Sequence, residues 1–224
     1  VRARLVACEI AKDRQSQFYA STPPLEAKKW LFSQYAKERR RRGEPLQLSF
    51  VDVKKAYFYG EPRRDIYMSP PRELGLPKSL LVKQTKCVYG TRDAGMIWEE
   101  TYRAALEKMG FVAGRGSPCC FFHKSRGLSL VVHGDDLTAL GLQDDLNWYE
   151  TELAKTFKLK IRGRLGENTE LKEMRILNRV ITITEKGIQY EADPRHAELM
   201  IRNLNLSESK GVKTPGVKPT DWSL

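Results

Sequence analysis

The segment that most constrains this chain is an acidic pair between two apolar, β-prone runs, Leu128–Leu140. Gly134 and Asp135 form one of the residue pairs favoured in a two-residue turn, so the segment predicts a β-hairpin with Asp135 and Asp136 at its tip. Adjacent carboxylates without a basic neighbour repel each other, and a bound cation relieves that repulsion. The pattern therefore indicates a divalent-cation site.

A third carboxylate, Asp52, ends another β-prone run over residues 46–53. A strand ending in a carboxylate, beside a hairpin with an acidic tip, can hold two metal ions about 3.5–4 Å apart that clamp the oxygens of a phosphoryl displacement. Mg²⁺ suits such a site, and Mn²⁺ is an alternative. The competing interpretation is an ordinary acidic surface. We expect this for Asp144 and Asp145, which directly precede a helix predicted over residues 146–157 and favour its dipole.

Composition narrows the class of protein. Of the 224 residues, 41% are hydrophobic, which is enough for a folded core. No apolar run approaches the roughly 18 residues of a membrane span, and no secretion signal opens the chain. Since the chain begins with Val1, we expect a piece of a larger polypeptide. The net charge of +11 favours a polyanionic partner, such as nucleic acid or an anionic membrane surface.

Cysteine and histidine patterns give no further site. The four cysteines lack the spacing of a zinc site, and we expect them to be small buried residues. His123 and His196 have no partner pattern and are interpreted as ordinary side chains.

Helical and extended patterns alternate irregularly, which predicts an α+β fold with an antiparallel sheet covered by helices. A helix is predicted from the hydroxyls of Ser21 and Thr22 to about Arg42, with a buried stripe at Ala27, Trp30, Leu31 and Tyr35. The run Arg39–Arg42 either complements the helix dipole or contacts phosphate. Further predictions are a strand near Leu5, helices before Gly110 and through Asn203, a basic turn or strand at 158–164, and a hairpin over 174–190.

Seven short segments match one pattern in order. They are R-A-R-L-V at 2–6, V-D-V-K-K-A-Y at 51–57, I-Y-M-x-P-P at 66–71, V-Y-G-T-R-D-A-G-M-I-W at 88–98, G-F…S-P-C at 110–119, H-G-D-D at 133–136 and F-K-L-K-x-x-G at 157–163. With these segments the chain resembles the reverse transcriptase region of copia-type retrotransposon polyproteins over residues 2–215.

The resemblance implies a right-hand polymerase fold with fingers and palm and a largely absent thumb. Residues 1–48 and 62–92 correspond to the fingers, and residues 49–61 and 93–192 to the palm with a primer-grip hairpin. Residues 193–206 begin a thumb helix, and residues 207–224 are expected to be a linker.

The implied activity is RNA-directed DNA polymerisation, in which two Mg²⁺ ions support nucleotidyl transfer to a primer 3′-hydroxyl. The implied partners are an RNA or DNA template with its primer, deoxynucleoside triphosphates, and flanking integrase and ribonuclease H regions. The expected location is intracellular, in a cytoplasmic virus-like particle or the nucleus, with no membrane. Two alternatives stay open: an inactive or diverged nucleic-acid-binding fragment, and another palm enzyme such as a nucleotide cyclase.

The resemblance also assigns the catalytic residues. Asp52 and Asp135 hold both ions, Asp136 assists more loosely, and the carbonyl of Val53 adds a ligand. Lys160 is a candidate for protonating pyrophosphate.

Other residues are assigned to the nucleotide and the primer. Arg2 and Arg4 clamp triphosphate oxygens, which guanidinium groups suit. Tyr57 lies under the sugar and excludes a 2′-hydroxyl. The remaining nucleotide contacts are the backbone N–H groups of Lys55 and Ala56, with Tyr89 and Gly90 at the templating base pair.

Three departures from the family pattern stand out. His133 and Gly134 replace a tyrosine and a valine at the primer contact, and Gly95 replaces a proline. At the primer grip, residues 175–179 replace F-L-G-I-E, so Arg175 and Arg179 add candidate phosphate contacts.

Overall fold

The computed structural model describes residues 6–9 and 18–211, and its centre is a seven-stranded antiparallel sheet. The strand order is β1-β2-β8-β7-β6-β5, and β9 pairs with the other side of β2. The strands are β1 (Arg40–Arg41), β2 (Glu44–Val53), β5 (Val112–Ala113), β6 (Cys120–His123), β7 (Leu128–His133), β8 (Asp136–Leu142) and β9 (Leu159–Gly166).

Two smaller antiparallel sheets and four helices complete the described fold. The small sheets are β3 (Tyr67–Met68) with β4 (Val82–Lys83), and β10 (Glu173–Ile176), β11 (Arg179–Thr184) and β12 (Gly187–Ala192). The helices are α1 (Leu25–Glu38), α2 (Ala94–Lys108), α3 (Gln143–Ala154) and α4 (Arg195–Asn203). The predicted α+β class with an antiparallel sheet covered by helices is therefore confirmed.

Strand β2 is buried on both faces because the central sheet is covered on both sides. Successive side chains of a strand point to opposite faces. Leu48 and Phe50 therefore pack with α1 and the three-stranded sheet, whereas Val51 and Val53 pack with α2 and α3. Asp52 continues the row of Leu48 and Phe50 and lies on the α1 side of the sheet.

Helix α1 differs from its prediction at both ends and in its buried face. No side chain caps its N-terminus, which begins after Pro24, and it ends at Glu38. Arg40 and Arg41 instead form β1, so the interpretation of the arginine run as a helix C-terminus is wrong. The buried stripe includes Phe32 rather than Trp30, whose side chain is exposed.

The arginine run turns out of the helix because the chain reverses there. Arg39 and Arg42 have positive φ angles, and Arg40 and Arg41 pair with Pro45 and Glu44 of β2. Arg39 and Arg40 form ion pairs with Glu167, and Arg41 forms one with Glu38.

Helices α2 and α3 form where they were predicted, but α3 begins and ends three residues earlier than expected. Trp98 and Tyr102 of α2 are buried in the core between α2, α3 and the sheet. Asp144 and Asp145 lie in the first turn of α3, where they favour the helix dipole as expected. Within the described residues, no helix combines the length and apolar character needed to cross a lipid bilayer.

The four cysteines are free thiols, but they are not uniformly buried. Cys87 and Cys119 are fully enclosed, and burial raises the pKa of each to about 11. The prediction of burial is wrong for Cys8, which is exposed. His123 is an ordinary core side chain, with Nε2 3.0 Å from the carbonyl oxygen of Met109.

Candidate active site

The predicted acidic hairpin is formed by β7 and β8. His133 and Asp136 are its last paired residues, so Gly134 and Asp135 make a two-residue turn. Gly134 has φ +62°, whereas Asp135 is not among the residues with positive φ, which is the combination of a type II′ turn. Glycine at 134 suits this turn because other residues rarely adopt that φ.

Strand pairing brings the third carboxylate to this turn. Asp52 of β2 lies directly opposite Asp136 of β8, and the backbone N–H of Val53 donates to the carbonyl oxygen of Asp135 over 2.9 Å. Directly opposite residues of an antiparallel pair place their Cβ atoms about 4.5–5.5 Å apart on one face. The three acidic residues that the sequence singled out therefore meet at one end of the central sheet.

The three carboxylates have different surroundings. Asp136 forms an ion pair with Arg162 at 3.5 Å, and its charge acts on Lys28 of α1. The charge of Asp135 acts on the other flank, at Tyr57, whose pKa is raised by burial and then by Asp135. Asp52 is half-buried, and its carboxylate has no hydrogen bond or ion pair with any other described residue.

These carboxylates fit a site completed by substrate rather than a closed protein cage. Among the described residues, no group of three or more His, Cys, Asp or Glu side chains converges closely enough to hold a metal ion. Mg²⁺ is commonly bound by one or two carboxylates together with substrate phosphates and water. The unpartnered Asp52 carboxylate beside the acidic turn meets that requirement.

Trp98 supports the acidic turn through a hydrogen bond to its backbone. Its indole Nε1–H donates to the carbonyl oxygen of Gly134 over 2.8 Å, and its ring packs edge-to-face on Phe157. The sequence predicted Trp98 only as a core residue of α2. The missed signal is that a buried tryptophan N–H needs an acceptor, and here the turn supplies it.

The residues assigned to the nucleotide lie beside the acidic turn. Lys55 has φ +57° and precedes a short 3-10 helix, Ala56–Tyr59. The rings of Tyr57 and Tyr89 meet edge-to-face with centroids 4.5 Å apart. The structure thus brings together the residues 55–57 and 89–90.

Gly90 is pressed against the N-terminal segment. Ala7 N–H donates to the carbonyl oxygen of Tyr89 over 2.7 Å. Gly90 has φ +94°, and a Cβ atom added there would lie 1.8 Å from the carbonyl oxygen of Ala7. The expected clamp residues Arg2 and Arg4 lie outside the described residues, as does Leu5. The strand predicted near Leu5 is wrong for Val6 and Ala7, which are described and belong to no strand.

Lys160 lies one strand away from the acidic pair. It is paired directly opposite Asp52 on β9 and is exposed. Strand β9 was predicted only as a basic turn or strand. It is eight residues long and pairs with β2 on the side opposite β8.

A cavity of about 270 Å³ opens on the Asp136 side, between the hairpin turn, the start of α1 and the β10–β11 turn. His133 and Arg179 line it, whereas Arg175 does not and instead ion-pairs with Glu173 at 3.8 Å. Burial lowers the pKa of His133, and the charge of Lys28 acts in the same direction. Of the two arginines assigned to the primer, Arg179 is the one that faces this cavity.

Lys28 also lines the cavity, and the sequence reasoning missed it. Its side chain is buried, and burial lowers its pKa to about 8. The available signal was its position, because Lys28 precedes Leu31, Phe32 and Tyr35 at the spacing of one helix face.

Comparison with known proteins completes the description of the site. The family model described as reverse transcriptase (RNA-dependent DNA polymerase) matches residues 42–218. This chain belongs to that reverse transcriptase family. The family predicted from the seven segments is confirmed, and the acidic turn and Asp52 both lie within the matched residues.

A curated relative within this family is the Retrovirus-related Pol polyprotein from transposon TNT 1-94 of Nicotiana tabacum. It is 24% identical over 176 residues, which cover 76% of this chain and 13% of the polyprotein. The chain therefore spans only a small part of the length of this polyprotein.

Two solved structures are similar to this chain over part of their length. One is apo telomerase from Candida tropicalis truncated from the C-terminal domain, with a TM-score of 0.46 and 9% identity, covering 77% of this chain and 41% of that one. The other is telomerase from Candida albicans in complex with the TWJ fragment of telomeric RNA, with a TM-score of 0.44 and 10% identity, covering 81% and 36%.

Proposed function

We propose that this chain is the polymerase region of a retrotransposon Pol protein and adds deoxynucleotides to a primer 3′-hydroxyl on an RNA or DNA template. The observation that carries the proposal is the pairing of Asp52 with Asp136, tied by the Val53–Asp135 backbone hydrogen bond, in a chain of the reverse transcriptase family. A carboxylate cluster of this kind is suited to two-metal nucleotidyl transfer.

Asp52 and Asp135 would hold two Mg²⁺ or Mn²⁺ ions, with the carbonyl of Val53 as a further ligand. The ions, when bound, would activate the 3′-hydroxyl and stabilise the pyrophosphate leaving group. Asp136 is the weaker ligand, because Arg162 already pairs with its carboxylate. Lys160, paired opposite Asp52 on β9, would donate a proton to the leaving pyrophosphate.

The incoming nucleotide would lie on the Tyr57 flank. The first N–H groups of a helical turn have no acceptor within it, so those of Lys55 and Ala56 are available to triphosphate oxygens. Tyr57, held by the Tyr89 ring, would exclude a 2′-hydroxyl by size. Tyr89 and Gly90 would support the templating base pair, and Arg2 and Arg4 would clamp the triphosphate.

The primer strand would lie on the side of the acidic turn opposite Tyr57, against His133, Gly134 and Arg179, with Arg175 farther out.

We assign residues 1–48 and 62–92 to the fingers, 49–61 and 93–192 to the palm, 193–206 to the start of the thumb, and 207–224 to a linker. The chain would act beside integrase and ribonuclease H regions, in a cytoplasmic virus-like particle or the nucleus.

Primer extension tests the proposal directly. With an RNA template, a DNA primer, deoxynucleoside triphosphates and Mg²⁺, we expect the wild type to extend the primer. Asp52→Asn and Asp135→Asn should each lower the rate by about 10²–10³ or more, since each removes charge stabilisation of the transition state. Asp136→Asn should cost less.

The matched control is Asp144→Asn, which removes one carboxylate of the acidic pair in α3 and should leave the rate unchanged. Extension by Asp135→Asn at the wild-type rate would show that the proposed mechanism is wrong.

The net charge of +11 favours a second candidate, a nucleic-acid-binding fragment without catalysis. It predicts salt-sensitive RNA binding without primer extension. Asp52→Asn should not weaken that binding, and Mg²⁺ should act on it only as any added salt does.

A further inference from the structure

Lys28 carries a buried amino group that the described protein does not satisfy. Its side chain is 4% exposed, and Nζ has no hydrogen-bond acceptor among the described residues. A buried ammonium without a partner is costly, whereas an apolar side chain of similar size at this position would avoid the cost. A lysine on the buried face of α1 therefore points to an anion supplied from outside the protein.

The cavity that Lys28 lines has positive walls. Arg179 and His133 are the other basic residues that line it, and neither aspartate nor glutamate does. Arg179 stacks its guanidinium over the Tyr190 ring at 5.7 Å and has no ion pair with any described carboxylate. The acidic residue whose charge acts on Lys28 is Asp136, and Arg162 already pairs with it.

The N-terminus of α1 adds to this positive environment. Pro23, Pro24 and Leu25 line the same cavity, and α1 begins at Leu25 without a side-chain cap. The first N–H groups of a helix lack intrahelical acceptors and carry the positive end of its dipole. Glu26, the acidic residue of this turn, is exposed and does not line the cavity.

We propose that this cavity binds a phosphodiester group of the primer strand, and that the enclosed ammonium of Lys28 attracts its negative charge from the cavity wall. The inference rests on the proposed polymerase function. A backbone phosphate suits the site because it brings the negative charge that Lys28, Arg179 and the α1 N-terminus attract.

The primer rather than the nucleotide is assigned here because the cavity lies beside Asp136 and the β10–β11 turn. Tyr57, Tyr89 and the backbone of Lys55 lie on the other flank, where the charge of Asp135 acts.

Equilibrium binding of a primer–template duplex, without nucleotide, is the first test. We expect Lys28→Met to raise Kd by about tenfold or more at low salt, as loss of one charge-assisted contact does. The slope of log K against log salt should fall in magnitude by about 0.9. Lys29→Met is the matched control, because Lys29 is the adjacent, exposed lysine of α1, and it should change Kd by less than twofold.

Thermal unfolding separates weaker binding from misfolding. Because Lys28→Met removes a buried, unpartnered ammonium, its Tm should equal or exceed that of the wild type. A variant that is at least as stable but binds the primer–template more weakly supports the proposal.

A neutral methylphosphonate, moved along the primer one linkage at a time, locates the contact. One position near the 3′ end should weaken binding by the wild type and leave Lys28→Met unaffected. An unchanged Kd for Lys28→Met, or the same response of both proteins at every linkage, would overturn the inference.

Nucleotide kinetics exclude the other source of phosphate. If Lys28→Met raised the KM for deoxynucleotides and left primer–template Kd unchanged, the site would bind triphosphate and the inference would be wrong. The proposed function fails separately, when the wild type extends no primer or Asp135→Asn extends it normally.

Discussion

At the scale of single residues, Gly90 shows how backbone shape positions the candidate nucleotide site. Its positive φ and its contact with Ala7 leave no room for a side chain. The same contact docks residues 6–9 against the chain beside Tyr89, whose ring meets Tyr57. A change at Gly90 should therefore reach the tyrosine pair as well as the N-terminal segment.

Gly90→Ala should lower the free energy of unfolding by at least about 2 kcal/mol, or release the segment, because strain and overpacking add. Chemical denaturation measures the free energy of unfolding, and faster hydrogen exchange at the Ala7 amide would report release of the segment. Gly75→Ala is the control, since Gly75 has φ +64° but open space around it, and it should cost only about 1 kcal/mol. Equal costs for the two variants would contradict the steric explanation.

Residue patterns in the sequence predicted Asp52, Asp135 and Asp136 together, because the turn and strand signals are local. They did not predict the partners of these residues. Trp98 supports the turn through an indole N–H, and Lys28 faces the cavity from α1, 24 residues before Asp52 in the chain. Such contacts depend on tertiary packing, which local periodicity does not encode.

At the scale of elements, β2 is the strand on which the site depends, and a polar network ties it to its neighbours. Glu150 of α3 accepts from Ser49 Oγ of β2 at 2.7 Å and from Arg164 Nε of β9 at 2.9 Å. The side chains of Glu150 and Arg164 are 11% and 16% exposed. This largely buried pair fixes β9, and with it Lys160, beside β2.

Glu150→Gln and Arg164→Met should each lower the free energy of unfolding by about 3 kcal/mol, because each leaves a partner charge uncompensated. The double variant should cost less than the sum, with a coupling energy of about 1–3 kcal/mol. Chemical denaturation of the wild type, the two single variants and the double variant measures this double-mutant cycle. Glu152→Gln, in the exposed pair with Lys155 of the same helix, should cost less than about 1 kcal/mol. Additive effects would show that the pair is not coupled.

Element prediction succeeded where the pattern is strong and failed where long-range pairing decides. The α2 and α3 helices and the acidic hairpin were predicted from periodicity and turn residues. Strand β9 is largely charged and only becomes clear through its pairing with β2. The end of α1 was missed because Arg40 and Arg41 are good helix formers that instead pair with β2.

At the scale of the whole molecule, apolar surface collects on α4. Leu199, Met200, Ile201 and Leu204 are each 44–66% exposed, and none of the helix side chains is buried. Contiguous exposed apolar surface promotes association, whereas the net charge of +11 opposes it. The balance should depend on ionic strength.

We expect the isolated chain to self-associate more as salt rises, because screening weakens the repulsion between its positive charges. Replacing Leu199 and Leu204 together with lysine should reduce this association, as measured by sedimentation velocity. The control places the same two charges at the exposed Leu74 and Leu76, far from α4 in sequence. A monomeric wild type at high salt, or an equal effect of both double variants, would contradict the assignment to α4.

The pairing of Asp52 with Asp136 has a further consequence. Neighbouring strands lie about 4.7–4.9 Å apart whatever side chains they carry. The distance between the backbones that carry the two acidic side chains is therefore set by interstrand hydrogen bonding. Substitutions elsewhere on the surface should leave that distance unchanged, so long as β2 and β8 keep their register.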